Sequence, residues 1–414
     1  MVKRISLLPY FITVFIDLLG IGIIIPILAP IFISQNSTLV TQQTPLIVRT
    51  LLLGLLIGSY PLAQFLGAPI LGTLSDHWGR RKIILISLLG TCIGYMLFAT
   101  GIQFSLIWLL FLSRFLSGFT GGNISAVMSA IADITKPEER AKSFGIIGMA
   151  FGIGFILGPY IAGKLSDPNI VPWFNFATPF IFATLLTIVN ILLVYFKVPE
   201  TLKKPVKSEI SIFAGVNNIR RAFAIEKLRA VFIVMFLLMF GFSFFAQFFQ
   251  VYLIEQFDYT QGQIGDMFAY IGIWVALTQG IGVRILAKYI SSKRILVYSI
   301  LLFGFSLFIL LLPQKSYLFL IVLPLIAIFN GITQPNLTSV VSSLADEKSQ
   351  GEVMGINQSL AALAQAIPPI FSGFLAAIDT RLPIVTSGVI ILIAWFIYFN
   401  YFYKVNRQEV FQEK

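Results

Sequence analysis

Asp17 and Arg114 stand well inside apolar runs, the first in TVFIDLLGIGIIIPILAP and the second in LSRFLSGFTGGNISAVMSAIADIT. A charge held in a stretch that crosses a bilayer is costly, so each marks a functional position. At helical spacing Thr13, Asp17, Gly20 and Ile24 share a face, which turns the carboxylate toward the inside of a bundle. A carboxyl group withdrawn from water can exchange a proton. The other reading of Asp17 is a simple pair with a second buried polar group. Arg114, Gly118, Gly121, Ser125 and Ala132 also fall on one face, a small-residue stripe topped by a cation. Its alternative is an arginine that snorkels to an interface. Glu255, near the end of a later run, is a weaker candidate for proton exchange.

The densest ionic stretch is GTLSDHWGRRK, residues 72–82, with one Asp, the only His and three cations. Gly72 and Gly79 are expected to permit a tight turn between two helices. Asp76 can pair with Arg80 or with a helix N-terminus, whose partial charge is positive. Asp133, in IADITKPEER, is a further partner for Arg80. Asp76, Arg80 and Asp133 would then form a latch, made when the cytoplasmic side is closed and broken when it opens. The plain alternative is a basic loop that only fixes topology.

The elements that must position these groups follow from composition. Of the 414 residues 57% are hydrophobic and 11% are charged, where a soluble chain carries about 25% charged residues. Mean hydropathy is +0.90. Apolar runs of spanning length fall near 7–33, 50–73, 83–101, 105–131, 141–164, 174–196, 230–254, 264–287, 294–313, 317–343, 351–377 and 382–403. They are continuous and too long for the alternating strands of a barrel. The expectation is an all-α polytopic membrane protein. The first run imitates a signal peptide but continues past residue 31 without a cleavage site, so it is expected to stay as the first helix.

Formal net charge is +11, but the cations lie in short segments between runs rather than in a basic stripe, which excludes nucleic acid as partner. Alternate connections hold most of the Lys and Arg, which puts both termini in the cytoplasm. Lone Cys92 and lone His77 exclude a disulfide framework and His-rich or Cys-rich metal centres. GPYIAGKL, 158–165, imitates a P-loop, but Leu165 replaces the required hydroxyl and the segment ends a membrane helix.

The longest charged connection falls near mid-chain and divides the runs six and six. The expected organisation is a bundle at 1–197, a cytoplasmic linker at 198–229 and a second bundle with a short tail at 230–414. An amphipathic surface helix near IRRAFAIEKLR and a solvated loop are both compatible with the linker. RAKSFGIIGMAFGIGFILGPYIAG aligns without a gap on QGEVMGINQSLAALAQAIPPIFSG, placing Gly145 on Gly355, Pro159 on Pro369 and Gly163 on Gly373. Two parallel halves of this kind suit a secondary transporter with its site between them. The counterpart of the ionic stretch, GVRILAKYISSKRI, keeps Gly282 and cations but has no Asp.

GTLSDHWGRRK resembles the G-x-L-a-D-r-x-G-r-k/r signature of the major facilitator superfamily, matched at Gly72, Leu74, Asp76, Gly79, Arg80 and Arg81. His77 departs from its usual basic residue and Ser75 from its small Ala. Arg114 resembles the R-x-x-q-G signature, with Ser117 where Gln is typical. Gly154, Gly158, Pro159 and Gly163 resemble the G-x-x-x-G-P-x-x-G-G motif of proton-driven exporters, with Ala162 in place of one Gly. The helix of Asp17 is similar to the first helix of tetracycline-type drug:proton antiporters.

The resemblance implies the major facilitator fold, twelve transmembrane helices in two pseudo-symmetric six-helix bundles. It also implies a transporter rather than an enzyme, with export of a small amphipathic or drug-like molecule against inward protons and with Asp17 and Arg114 coupling the two. A proton symporter for a small nutrient or siderophore-like compound is the alternative, and a transport-dead receptor or membrane enzyme a second. No cofactor is expected beyond the proton gradient. The expected partners are a small-molecule substrate, protons and the lipid bilayer, and the expected form is a monomer in a bacterial inner membrane. Gln64, Asn123, Phe244, Phe248, Asn330, Gln334 and Gln358 are the candidate lining of the substrate cavity, apolar walls with a few polar groups.

Overall fold

Long apolar segments leave their backbone no water to bond with, so inside a bilayer they close every hydrogen bond on themselves as helices. The computed structural model describes residues 7–33, 39–41, 43–135, 140–202, 216–217, 219–220, 226–344 and 359–412, and among them there is no strand. In chain order the first helices are α1 (Leu8–Ile33), α2 (Leu46–Trp78), α3 (Arg80–Gln103) and α4 (Ile107–Ile134). They continue with α5 (Arg140–Leu165), α6 (Thr178–Lys197) and α7 (Glu226–Phe257). The set closes with α8 (Gln261–Tyr289), α9 (Ser292–Ile309), α10 (Phe319–Leu344), α11 (Ser359–Ile378) and α12 (Leu382–Gln412). Among the described residues eleven of these are long and apolar enough to cross a bilayer, and the 26-residue α5 completes twelve.

Four helices show why lipid is required. Ile86, Leu89, Ile93 and Met96 are exposed along α3, and Ile181, Leu185, Ile188 and Leu192 along α6. Tyr298, Leu302, Phe305 and Ile309 do the same on α9, and Val389, Ile393 and Phe396 on α12. Spacings of three and four make each set a continuous apolar stripe. Stripes of this size are unstable against water and natural against lipid tails, so the protein is an integral membrane protein.

The chain divides into two compact units, Met1–Gly215 with Tyr259–Ala269, and Val216–Asp258 with Tyr270–Lys414. The core of the first unit sits beneath the α2–α3 junction, where Val14, Leu71, Ile84, Leu88, Val127 and Val194 are fully buried. The segment 259–269 lies in this unit because it rests on the end of α5. Lys164 pairs with Asp266 at 2.9 Å, and the Gln261 amide donates to the Ser166 carbonyl at 3.4 Å. The second unit is organised by aromatic side chains of α7. Phe245 and Phe249 stand 5.0 Å apart, and Phe249 and Tyr252 both meet Phe319. Thr333 of α10 donates to Ser299 of α9 at 3.0 Å, and Trp395 of α12 to the Val297 carbonyl at 2.9 Å.

Two local features differ from the expectation. The stretch 72–82 is not a loop: α2 runs to Trp78, α3 starts at Arg80, and Gly79 alone is non-helical. Gly72 therefore lies inside α2 against Ser125 and shapes no turn. The fourth span is also not one continuous helix, since a 3₁₀ turn at Gly121–Asn123 divides it. The expected surface helix near 219–229 falls largely outside the described residues; its last part, from Glu226, already belongs to α7.

Candidate functional site

Asp17 is 9% exposed and faces the interior of the first bundle. Its Oδ2 accepts from Asn123 Nδ2 at 3.0 Å. One turn before it on the same face, Thr13 donates to Asn190 of α6 at 3.0 Å. One turn after it, Gly20 faces the Tyr95 hydroxyl of α3 so closely that a Cβ there would lie 1.9 Å from that oxygen. Arg114 is 5% exposed, so it does not snorkel. Its guanidinium stands 4.4 Å from the centroid of the Tyr60 ring, a cation–π contact strengthened by the lack of water. Among the described residues no carboxylate pairs with Arg114, and its Nε has no hydrogen-bond partner. The Ser117 hydroxyl, one turn on, is also unpartnered.

Close packing fixes this cluster. Tyr60 presents its backbone carbonyl to Gly118, where a Cβ would lie 2.3 Å from it, and its hydroxyl to Gly121. Gln64 of α2 donates to the Gly121 carbonyl at 3.2 Å. The small-residue stripe expected on α4 thus serves to bring two backbones together. The residue missing from the sequence reading is Tyr60, whose ring takes the place a carboxylate would have taken beside Arg114.

The second constellation is the α2–α3 junction. Arg80 bonds Asp76 Oδ1 at 2.5 Å, Ser75 Oγ at 2.6 Å and Asp133 Oδ2 at 3.4 Å. The expected network of Asp76, Arg80 and Asp133 is therefore assembled. Arg81 lies apart from the carboxylates: it donates to the Tyr195 carbonyl and stacks over the Tyr195 ring at 5.2 Å. Glu200, just beyond α6, was not expected here. Its carboxylate accepts from the backbone N–H of Arg80 at 2.9 Å and of Arg81 at 3.2 Å. It also accepts from Thr201 and Leu202, each at 2.9 Å. It, and not Asp76, occupies the α3 N-terminus, an acceptor where the helix offers bare donors. Thr201 closes the ring by donating to Asp133 at 3.1 Å. Gly79 has φ +103°, a conformation that costs little only without a Cβ, and a Cβ there would meet Glu200 at 2.4 Å.

The helix motif of α5 lies along α1. A Cβ on Gly154 would stand 2.9 Å from Leu18 Cβ, and one on Gly158 2.7 Å from the Leu19 carbonyl, while Pro159 packs on Gly22. Gly163 instead faces Gly265 and the Gln261 carbonyl at the start of α8. Of the expected cavity lining, Gln64 and Asn123 belong to the buried cluster just described. Phe244 and Phe248 are almost completely enclosed within the second unit, and Asn330 is half-buried with Oδ1 unpartnered. Gln334 is half-buried on α10, Glu255 is exposed at the end of α7, and Gln358 lies outside the described residues. Among the described residues no group of His, Cys, Asp and Glu is arranged to hold a metal ion.

Known proteins share this architecture. A tetracycline resistance protein of class E from Escherichia coli is 31% identical over 370 residues, 87% of this chain and 85% of that protein. Multidrug resistance protein 1 of Bacillus subtilis is 28% identical over 407 residues, 95% of this chain and 97% of that one. The solved structure of the human organic anion transporter MFSD10 superposes with a TM-score of 0.72 at 25% identity, over 96% of this chain and 100% of that one. A D-xylose-proton symporter shares the fold, with a TM-score of 0.75 at 14% identity over 94% of this chain and 96% of that one. The family model of the Major Facilitator Superfamily matches residues 10–286 and 231–414. With its helices, its ionic α2–α3 junction and its buried Arg114 and Asp17, the protein is a membrane transporter for small molecules and belongs to the Major Facilitator Superfamily.

Proposed function

We propose that the protein exports small amphipathic, drug-like molecules in exchange for protons, by alternating access between two six-helix halves at 1–197 and 230–414. The observation that carries this reading is the buried Asp17, a carboxyl group on the inner face of α1 with an amide as its hydrogen-bond partner. Such a group can load and release a proton while Arg114, which stacks on Tyr60 and has no carboxylate partner among the described residues, responds to its charge. Kinship with tetracycline and multidrug resistance proteins supports outward transport. The name of the human relative adds organic anions to the substrate range worth testing. The distribution of Lys and Arg supports cytoplasmic termini in a bacterial inner membrane. The protein works as a monomer without a cofactor. Each inward proton draws about 2.3 kcal/mol per 100 mV from the membrane potential.

In this cycle the Asp76–Arg80–Asp133 network, held by Glu200, locks the cytoplasmic end of the first bundle in one state and opens in the other. The test is a pH gradient imposed across proteoliposomes, with tetracycline and an organic anion as probes and protein-free vesicles as control. Antiport accumulates the probe on the acid side. Accumulation on the alkaline side would establish a symporter instead, and no accumulation of any probe would remove drug export.

A further inference from the structure

The 3₁₀ turn at Gly121–Asn123 interrupts α4 in the middle of the bundle and directs one side chain at Asp17. The turn is pressed onto α2, because a Cβ on Gly122 would lie 2.5 Å from the Ala68 nitrogen and one on Gly121 would lie 2.3 Å from the Tyr60 hydroxyl. Asn123 follows these glycines, is 1% exposed, and donates through Nδ2 to Asp17 Oδ2 at 3.0 Å. Its own Oδ1 is buried without a partner, so the residue is oriented by what it gives to Asp17 rather than by what it receives. A buried amide oxygen left unsatisfied is costly, and a purely structural position would be filled by an apolar side chain.

We propose that Asn123 is the positioning residue of the proton-exchange site: it fixes the Asp17 carboxyl group on the inner face of the bundle. The inference rests on the reading of Asp17 as the group that exchanges protons. The amide N–H can be accepted by a carboxylate or by the carbonyl oxygen of the acid, so the contact can hold Asp17 through both halves of a proton exchange. The other titratable groups coupled to Asp17 are Tyr60 of α2 and Tyr95 of α3. The side of α1 packed on α5 meets Gly154, Gly158 and Pro159, and the side packed on α6 meets Asn190. Asn123 is thus the direct hydrogen-bond partner of the carboxylate among the described residues.

The test uses the purified full-length protein in lipid vesicles and follows the carboxyl C=O stretch by infrared difference spectroscopy as a function of pH. The Asp17 band is assigned by its loss in Asp17→Asn, and each variant is read against its own Asp17→Asn partner. Removing the donor with Asn123→Leu is expected to move the Asp17 midpoint by about one to two units. Asn123→Asp keeps the shape but sets a second carboxyl group beside the first, and the pair is expected to titrate with a midpoint displaced from the wild-type one. Midpoints equal to wild type in both variants would overturn the assignment while leaving Asp17 as the exchanging group. So would a shift in Asn123→Leu with none in isosteric Asn123→Asp, the signature of shape alone. A wild-type spectrum with no titrating band that Asp17→Asn removes would overturn both readings together.

Discussion

The junction between α2 and α3 and its counterpart between α8 and α9 occupy matching places in the two halves and are built in opposite ways. The first is a one-residue break at Gly79, with Arg80 on three oxygen acceptors and Glu200 on the exposed N–H groups of α3. The second, GVRILAKYISSKRI, holds no Asp or Glu. Gly282 is helical with φ −60°, Tyr289 is 81% exposed, and Ser291 precedes α9 without a side-chain cap. The helices leading in differ too: α2 is uninterrupted, while α8 carries a π-helical turn at Thr278–Gly282. In α2 56% of the apolar window is buried, and in α8 11%. Among the described residues the buried charges, Asp17, Arg49, Arg80 and Arg114, all lie in the first half. A repeat can keep its backbone plan and its cations while one copy alone carries the carboxylates.

Substitutions that treat the two junctions alike should expose the difference. Arg80→Ala leaves Asp76 and Asp133 facing each other without their cation, and transport is expected to fall on the order of tenfold, about 1.4 kcal/mol in barrier. Asp76→Asn should fall less, and spin-label distances across the junction should broaden. Leu286→Ala, at the matching place in the second half, should change transport less than about twofold. Equal losses at Asp76 and Leu286 would break the comparison.

Thermal unfolding in detergent separates the glycines. Gly79→Ala must adopt a positive φ against the Glu200 carboxylate and is expected to lose about 1–2 kcal/mol. Gly282→Ala sits in helical backbone, where its Cβ would make an ordinary contact with Thr278 Cγ2 at 3.6 Å, and should gain up to ~1 kcal/mol. Opposite signs sharpen the comparison; the same sign at both positions would refute it. Glu200→Gln keeps an acceptor but loses its charge, and about 1 kcal/mol is expected. The smallest effect is at the Lys164–Asp266 pair, which is largely exposed. Lys164→Met should cost ~0.5 kcal/mol or less and show it only at low salt.

Much of this was legible in the sequence because it is local. Asp76, Gly79 and Arg80 are neighbours, and a lone Asp or Arg in an apolar run is conspicuous. The contacts that complete each site are not local. Glu200 reaches Arg80 across 120 positions and Asn123 reaches Asp17 across 106; both depend on which helix ends meet. Tyr60 reads as one more aromatic in a membrane helix until Gly118 lets its backbone approach. Gly72 was assigned to a turn because charge density suggested a loop, whereas helices that abut at Gly79 need no loop. The break in α4 carries no proline and cannot be told from periodicity in GFTGGNISA.

The claim that Asp17 drives exchange is tested most directly by proton flux. Proteoliposomes holding wild type or Asp17→Asn receive tetracycline at zero membrane potential, and pH is followed on both sides. The expected result is substrate-dependent proton movement opposite to the drug in wild type, with none in Asp17→Asn although the drug still binds. Wild-type rates of coupled proton movement in Asp17→Asn would contradict it.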